Sequence, residues 1–279
     1  MSVTDPVHRN PIAGRLANWR AGVALVRSTW LSWMQARSFF FLVAFGWMVP
    51  PLIYLFVWST VAGAEGAGGM GRDEFIIYYL ALILVNQVTY AQTNWTVGDT
   101  IRTGDFSRLL LYPMSPIFNT VASELAGKVV MLSFVAPVTL LLALWLRPQV
   151  NFTWQSVVLF VPALLLAWLL RFFWGYWLAL LAFWSTRADA LLSVQDALVF
   201  LLAGEVAPVA LLPGPIQALA LLLPFWYMLG FPVEVLMGQL TAAELVRGFG
   251  LQIAWLLAAL GLYQLVWRRG LRRYSAVGG

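Results

Sequence analysis

The sequence has few of the residues that enzymes commonly use for catalysis. It contains no cysteine and a single histidine, His8, which stands beside Arg9 in a polar stretch. The lack of cysteine excludes disulfides, thiolate nucleophiles and cysteine metal sites, and one histidine cannot build a histidine-based triad or a multi-histidine metal centre. The motifs H-E-x-x-H and G-x-S-x-G are also missing. The chain is therefore predicted not to be an enzyme.

The sequence also lacks a phosphate-binding loop. Its one Gly-Lys pair, Gly127-Lys128, has Ala122 where such a loop needs its first glycine, and Val129 where it needs Ser or Thr for magnesium. Lys128 instead follows Glu124 by four residues, the favourable spacing for an ion pair on a helix. The chain is predicted to bind no cofactor itself, so any ATP must be bound by another chain.

Charged residues are scarce and long apolar runs dominate. Of 279 residues, 61% are hydrophobic and 10% are charged, which is outside the range of soluble globular proteins. Fifteen tryptophans agree with a membrane protein, because indole rings favour the membrane interface. We therefore expect an all-α membrane protein.

Six segments are long enough to cross a hydrocarbon core, which needs about 20 apolar residues. They are approximately residues 39–61, 74–97, 119–146, 155–184, 189–212 and 243–267. With both termini in the cytoplasm, twelve arginines lie inside, namely Arg9, Arg15, Arg20, Arg27, Arg37, Arg102, Arg108, Arg187, Arg268, Arg269, Arg272 and Arg273, and three outside, namely Arg72, Arg147 and Arg247. The positive-inside rule favours this orientation. Arginines scattered over loops that face anionic lipid also explain the net charge of +5 without nucleic acid.

Both ends of the chain are predicted to be cytoplasmic. In the first region, residues 1–38, apolar residues recur with helical spacing at Ile12, Leu16, Trp19, Val23, Val26, Trp30 and Trp33. This spacing predicts an amphipathic helix over 12–36 that lies in the membrane interface, and a soluble helix packed on a partner is the alternative. Residues 39–267 form the membrane domain, and residues 268–279 a basic cytoplasmic tail.

The stretch 211–240 is apolar but cannot span the membrane as one helix. Four prolines cut it into pieces of fewer than about ten residues: Pro213, Pro215, Pro224 and Pro232. We predict re-entrant or interfacial short helices on the outer side, in which Glu234 faces protein or water and Pro224 and Glu234 are candidates for an outer gate. A long apolar loop is the alternative.

Polar side chains at membrane depth are candidates for a substrate path. In the second predicted span, Asn86, Thr89 and Thr93 share one face, and Asp196 lies near the inner end of the fifth. Such groups either line a wet path or make hydrogen bonds between helices, and the sequence leaves both open. Arg171 lies near the middle of the fourth span and needs a partner, although its depth does not identify Asp196 as that partner.

The loop 99–116 joins the second and third spans on the predicted cytoplasmic side. Thr103 can cap a short helix there and Asp105 suits the positive end of that helix. Its apolar residues fall on one face, namely Phe106, Leu109 and Leu110, and two prolines end it, Pro113 and Pro116. An exposed apolar face beside Arg102 and Arg108 predicts a docking element for a soluble partner.

These features resemble the permease family of type-2 ABC exporters, whose coupling helix follows an acid, Arg and Gly pattern and ends in Leu-Leu-x-x-Pro. The matching residues are Asp99, Arg102, Gly104, Leu109, Leu110 and Pro113. A bacterial subgroup of this family carries segments similar to IRTGDFSRLLLYP (101–113) and WRRGLRRYSAVGG (267–279).

The resemblance implies a six-span permease in the bacterial cytoplasmic membrane. It implies a second permease, identical or paralogous, and two separate ABC ATPase subunits that hold ATP and magnesium and contact the loop 99–116. An amphipathic or hydrophobic substrate would move outward by alternating access, along a path lined by the second and fifth spans. The expected coupling residue is Phe106, together with Asp105 and Arg108. The alternative is a secondary transporter or channel without an ATPase, which predicts internal repeats with paired broken helices that the sequence does not show.

Overall fold

The fold consists of helices of very different lengths. The computed structural model describes residues 23–274 except 25–26, 29, 33, 36, 64–65, 112–114 and 150–151. In chain order its helices are α1 (Arg37–Ala62), α2 (Arg72–Thr89), α3 (Thr93–Thr103), α4 (Phe106–Leu110), α5 (Pro116–Leu146), α6 (Trp154–Leu180), α7 (Ala188–Leu202), α8 (Gly214–Leu222), α9 (Phe225–Met228), α10 (Gly230–Met237) and α11 (Ala242–Arg273). The expected all-α class is confirmed for this part of the chain, where the only strand-like pairing is one bridge between Ala67 and Met70.

Five stretches are long and apolar enough to cross a membrane. They are Phe41–Ala62, Arg72–Thr103, Pro116–Leu146, Trp154–Phe183 and Ala242–Arg273. The second stretch lies at the centre of the bundle. In its most apolar segment of 18 residues 72% is buried, whereas in the corresponding segment of Pro116–Leu146 only 22% is buried. The outer face of α5, by contrast, exposes Leu140, Leu141, Leu144 and Trp145. A wide apolar outer face around a packed centre is expected of a multi-pass membrane protein.

The expected count of six spans is not confirmed, because the predicted fifth span is interrupted. Its helix, α7, has 15 residues and so a length of about 22 Å, against a hydrocarbon core of about 30 Å. The chain leaves the helix at Gly204, whose φ of +91° favours glycine. The Tyr78 hydroxyl donates to the Gly204 carbonyl at 2.9 Å, and a Cβ at this position would collide with that hydroxyl. Tertiary packing against α2 therefore fixes where α7 ends.

The stretch 211–240 forms short helices, as predicted, but only two of its four prolines mark the divisions. Pro215 and Pro232 lie in the first turns of their helices, and α9 and α10 are separated at Leu229. The three pieces are α8, α9 and α10, and Pro213 and Pro224 hold the N-cap positions of α8 and α9. Their residues pack into the main core with α2, α6 and α11 through buried side chains such as Phe225 and Phe231. The short helices are confirmed, while their position at the outer face stays a prediction.

The C-terminal end of the described chain differs from expectation, whereas only a small part of the predicted N-terminal helix is described. Most of the predicted interfacial helix 12–36 lies outside the described residues, within which residues 23, 24, 27, 28, 30–32, 34 and 35 are helical. The last helix, α11, runs to Arg273 rather than ending at 267. The four arginines expected in a basic tail therefore lie on the final turns of α11, where positive side chains suit the helix dipole.

Candidate functional site

The second membrane stretch is broken between α2 and α3. Helix α2 ends at Thr89, and α3 begins at Thr93. Lys128 donates from Nζ to the Tyr90 carbonyl at 2.6 Å, next to the end of α2. Glu124 accepts the Thr93 backbone N–H at 3.0 Å and the Thr93 hydroxyl at 2.6 Å. One helix, α5, thus binds both sides of the break, with its cation at a helix C-terminus and its anion at a helix N-terminus.

Glu124 and Lys128 also bind each other. Their side chains form an ion pair at 2.8 Å, as their four-residue spacing predicted, and the two residues are only 3% and 9% exposed. Loss of one member of a buried pair leaves the other charge uncompensated and costs about 3–5 kcal/mol. We call Glu124, Lys128 and the residues they hold, Tyr90 and Thr93, the hinge clamp.

Tyr90 connects the hinge clamp to a second polar group around Arg171. The Arg171 guanidinium lies over the Tyr90 ring at 5.0 Å from its centroid. The Tyr90 hydroxyl donates to Asp196 at 3.4 Å, a long hydrogen bond. Tyr90 is not among the predicted site residues, because an aromatic residue in an apolar span carries no signal of such contacts.

The partners of Arg171 are neutral. Its Nη1 donates to the Asn86 side-chain oxygen at 2.7 Å and to the Thr89 hydroxyl at 3.2 Å. No ion pair with Asp196 is present among the described residues. In this conformation Asn86 and Thr89 thus bind α6, while Thr93 binds α5, so the break separates residues that the sequence placed on one face.

The predicted docking loop contains one short helix, α4, which a two-residue turn, Gly104 and Asp105, joins to α3. Gly104 ends α3 with a φ of +86°, the left-handed conformation that glycine adopts at helix C-termini. Asp99 and Arg102, both exposed, pair at 2.9 Å. Thr103 does not cap α4 as predicted, because it is the last residue of α3; Asp105 holds the N-cap position and accepts the Thr103 hydroxyl at 3.0 Å.

Phe106 is not the exposed apolar contact that the sequence analysis expected. It is 1% exposed, and its ring meets Phe183, Trp267 and Tyr274 edge to face at centroid distances of 5.7, 6.0 and 5.8 Å. The Tyr274 hydroxyl donates to the Gly104 carbonyl at 3.1 Å. Phe106 therefore anchors α4 to the ends of α6 and α11, since a large ring gains more from burial than from exposure.

The exposed apolar surface of the loop lies after Phe106. Leu110 is 39% exposed and Leu111 is 86% exposed, beside the exposed Arg108. Leu109 is half-buried, and Pro113 lies outside the described residues. Leu111 was missed because a three-leucine run does not reveal which leucine the tertiary contacts leave free. We call Arg108, Leu110 and Leu111 the docking patch.

One of the two predicted gate residues, Glu234, borders a cavity of about 260 Å³ between α8, α9, α10 and the start of α11. Glu234 lines this cavity and accepts the Trp226 indole N–H at 3.0 Å. Burial raises the pKa of Glu234 to about 7, and the negative charge of Glu244 acts in the same direction. Pro224 is buried at the start of α9 and does not line the cavity. We call this space the Glu234 cavity.

A comparison with protein-family models identifies the class of the chain. Residues 48–278 match the model described as ABC-2 family transporter protein. No curated protein and no solved structure matches the chain. The match extends from α1 beyond α11 and includes the hinge clamp, the docking patch and the Glu234 cavity. Together with five helices that can cross a membrane, it identifies a multi-pass transport permease that works with ABC ATPase partners. The chain belongs to the ABC-2 transporter family.

Proposed function

We propose that this protein is the membrane subunit of an ATP-driven exporter in the bacterial cytoplasmic membrane, with both termini in the cytoplasm. Separate ABC ATPase subunits hold ATP and magnesium and supply the energy. The observation that carries the proposal is the docking patch, an exposed apolar and basic surface on a helix anchored through Phe106 to the ends of α6 and α11. The distribution of twelve inner and three outer arginines supports the position of this patch on the ATP side.

The coupling route runs from the docking patch through α3 to the hinge clamp. Only Gly104 and Asp105 separate α4 from α3, so a push on the docking patch moves α3. The break after Thr89 lets α3 move relative to α2, and Glu124 and Lys128 limit that motion. The proposed coupling region also includes the ion pair between Asp99 and Arg102, and the residues Asp105 and Leu109. Interfaces of this kind switch between discrete arrangements rather than deform continuously.

The transport path is formed with a second permease, identical or paralogous, and carries an amphipathic or hydrophobic substrate outward. Asn86, Thr89, Thr93 and Asp196 are its proposed lining. Because these groups here bind neighbouring helices, the proposal requires that the spans separate during the cycle. Pro224 and Glu234 stand at the proposed outer gate. Each ligand drives the cycle only through its different affinity for the inward-facing and outward-facing states.

The docking patch can be tested by substitution of its most exposed residue. We expect Leu111→Asp to abolish co-purification with the partner ABC ATPase, and to abolish ATP-dependent transport, because a carboxylate in an apolar contact must be desolvated. Since Leu111 is 86% exposed, the variant should still reach the membrane and keep the wild-type melting temperature. The matched control is Leu111→Met, which keeps an apolar side chain and should retain both activities.

Two outcomes would refute the proposal. One is ATPase binding and transport by Leu111→Asp at the wild-type level. The other is substrate transport by the purified permease alone in vesicles without ATPase, which would establish a secondary transporter or channel.

A further inference from the structure

The Glu234 cavity has the composition of a binding site for a positively charged group. Two aromatic residues, Trp226 and Tyr227, line it together with the Glu234 carboxylate. The polar atoms of both aromatic side chains are already engaged. The Trp226 N–H donates to Glu234 at 3.0 Å, and the Tyr227 hydroxyl donates to the Leu221 carbonyl at 2.7 Å. The groups that remain for a ligand are the second carboxylate oxygen of Glu234 and the aromatic rings of Trp226 and Tyr227, and both kinds of group attract cations.

The charge of Glu234 has no cationic partner within the protein as described. Among the described residues, the carboxylates that form ion pairs are Asp73, Asp99 and Glu124, and Glu234 is not one of them. Arg247 also lines the cavity, but it is exposed and does not pair with Glu234. Glu244, the other carboxylate of the lining, is exposed too and accepts from Thr241, so the two exposed charges of the lining offset each other and Glu234 is its only withdrawn charge. Glu234 is half-buried, and a carboxylate withdrawn from water without a counter-charge is costly, so a bound cation would lower the free energy of this region.

The size of the cavity limits the ligand. Pockets for drug-sized molecules measure about 300–1,000 Å³, and this cavity of about 260 Å³ lies just below that range. It therefore suits a compact group rather than a whole amphipathic molecule. Aromatic side chains beside a carboxylate favour an organic ammonium group over a small, strongly hydrated metal ion, because ring faces bind weakly hydrated cations.

We propose that the Glu234 cavity binds a compact organic ammonium group, held by the Glu234 carboxylate and by the rings of Trp226 and Tyr227. The group belongs either to a free small cation or to the headgroup of a membrane lipid. This site is independent of the direction and energy source of transport, since it requires neither the ATPase nor the docking patch.

The first test uses full-length protein in a maltoside detergent at pH 8, where the Glu234 carboxyl is ionised. Choline and ethanolamine should each raise the melting temperature in a saturable way above sodium chloride of equal ionic strength, because a ligand of the folded state stabilises it. The carbon isostere of choline, in which a neutral tert-butyl group replaces the trimethylammonium group, should give no shift. The proposal is overturned if neither amine gives a saturable shift, or if the isostere matches choline.

The second test uses variants. Glu234→Gln keeps an acceptor for Trp226 but removes the charge, and should weaken the apparent choline affinity by about tenfold or more, equivalent to about 1.4 kcal/mol. The matched control is Glu74→Gln, an exposed carboxylate that caps the start of α2 outside the cavity lining. It should keep the wild-type affinity. Equal choline affinity of Glu234→Gln and wild type would overturn the proposal.

The source of the group is decided in lipid nanodiscs. If a lipid headgroup occupies the cavity, the choline shift should disappear in phosphatidylcholine discs and persist in phosphatidylglycerol discs. A free cation should give the shift in both kinds of disc. Loss of the shift in both, with detergent-solubilised protein responding, would overturn the proposal for the membrane-embedded protein.

Discussion

The hinge clamp allows a quantitative test of the buried ion pair. Lys128→Met leaves the Glu124 carboxylate buried without a counter-charge and removes the donor to the Tyr90 carbonyl. Because Glu124 is 3% exposed, water cannot replace the ammonium, and we expect a loss of about 3–5 kcal/mol in the free energy of unfolding. Glu124→Gln can still accept from Thr93 but leaves the ammonium uncompensated, so we expect a loss of about 3 kcal/mol.

The double variant Glu124→Gln/Lys128→Met separates the charge interaction from the rest. It contains no buried charge at this position, and its remaining defect is the missing donor to Tyr90, which costs about 1–3 kcal/mol. The double variant should therefore lose less stability than Lys128→Met alone. Its loss should fall about 3–7 kcal/mol short of the sum of the two single losses, and this difference is the coupling energy between the two positions.

The assay is equilibrium unfolding in mixed detergent micelles, followed by tryptophan fluorescence. Thr139→Val is the control in the same helix, because Thr139 is buried and uncharged and its hydroxyl bonds only the Val135 carbonyl, at 2.9 Å. It should cost less than about 1.5 kcal/mol. The ion-pair interaction between Glu124 and Lys128 would be refuted if the double variant lost as much free energy of unfolding as the two single variants together, within about 0.5 kcal/mol.

Two further predictions concern Phe106 and Glu234. Phe106→Ala should lower the free energy of unfolding by about 3–5 kcal/mol in the same assay, because it empties a packed aromatic site. The control Leu111→Ala should change the free energy of unfolding by no more than about 0.5 kcal/mol, because Leu111 is exposed. Equal effects of the two substitutions would contradict the burial of Phe106. The pKa of Glu234 is about 7 in the folded protein and 4.5 ordinarily, so the folded protein keeps a proton that the unfolded chain releases, and stability falls as the pH rises from 4.5 to 7. Glu234→Gln should remove at most about 3 kcal/mol of this pH dependence, and parallel pH profiles for both proteins would contradict it.

Local sequence patterns predicted the long apolar helices and the short helices of 211–240. The apolar runs identified the long helices because a bilayer-length helix needs many consecutive apolar residues. The four prolines predicted that 211–240 is divided, since proline cannot continue a helix interior, although only Pro213 and Pro224 stand at the divisions. The pair Glu124 and Lys128 followed from four-residue spacing. Each of these features depends on residues close together in the chain.

The features that the sequence did not reveal depend on distant contacts. The break after Thr89 contains neither glycine nor proline, since residues 90–92 are Tyr, Ala and Gln, and it is held by side chains of α5. The end of α7 depends on Tyr78, which binds Gly204 from 126 positions away. Neither contact leaves a periodic signal in the local sequence.

The loop 99–116 shows the same division between local and tertiary information. Its sequence by itself determined that a short helix with an apolar face lies in this loop, because turn and helix preferences are local, although the helix begins at Phe106 and not directly after Thr103. The tertiary structure decided which apolar residue is buried. Phe106 lies against Trp267 and Tyr274 from the far end of the chain, and this packing leaves Leu111 exposed. Helix preference is set by neighbouring residues, whereas burial is set by whatever the fold brings into contact.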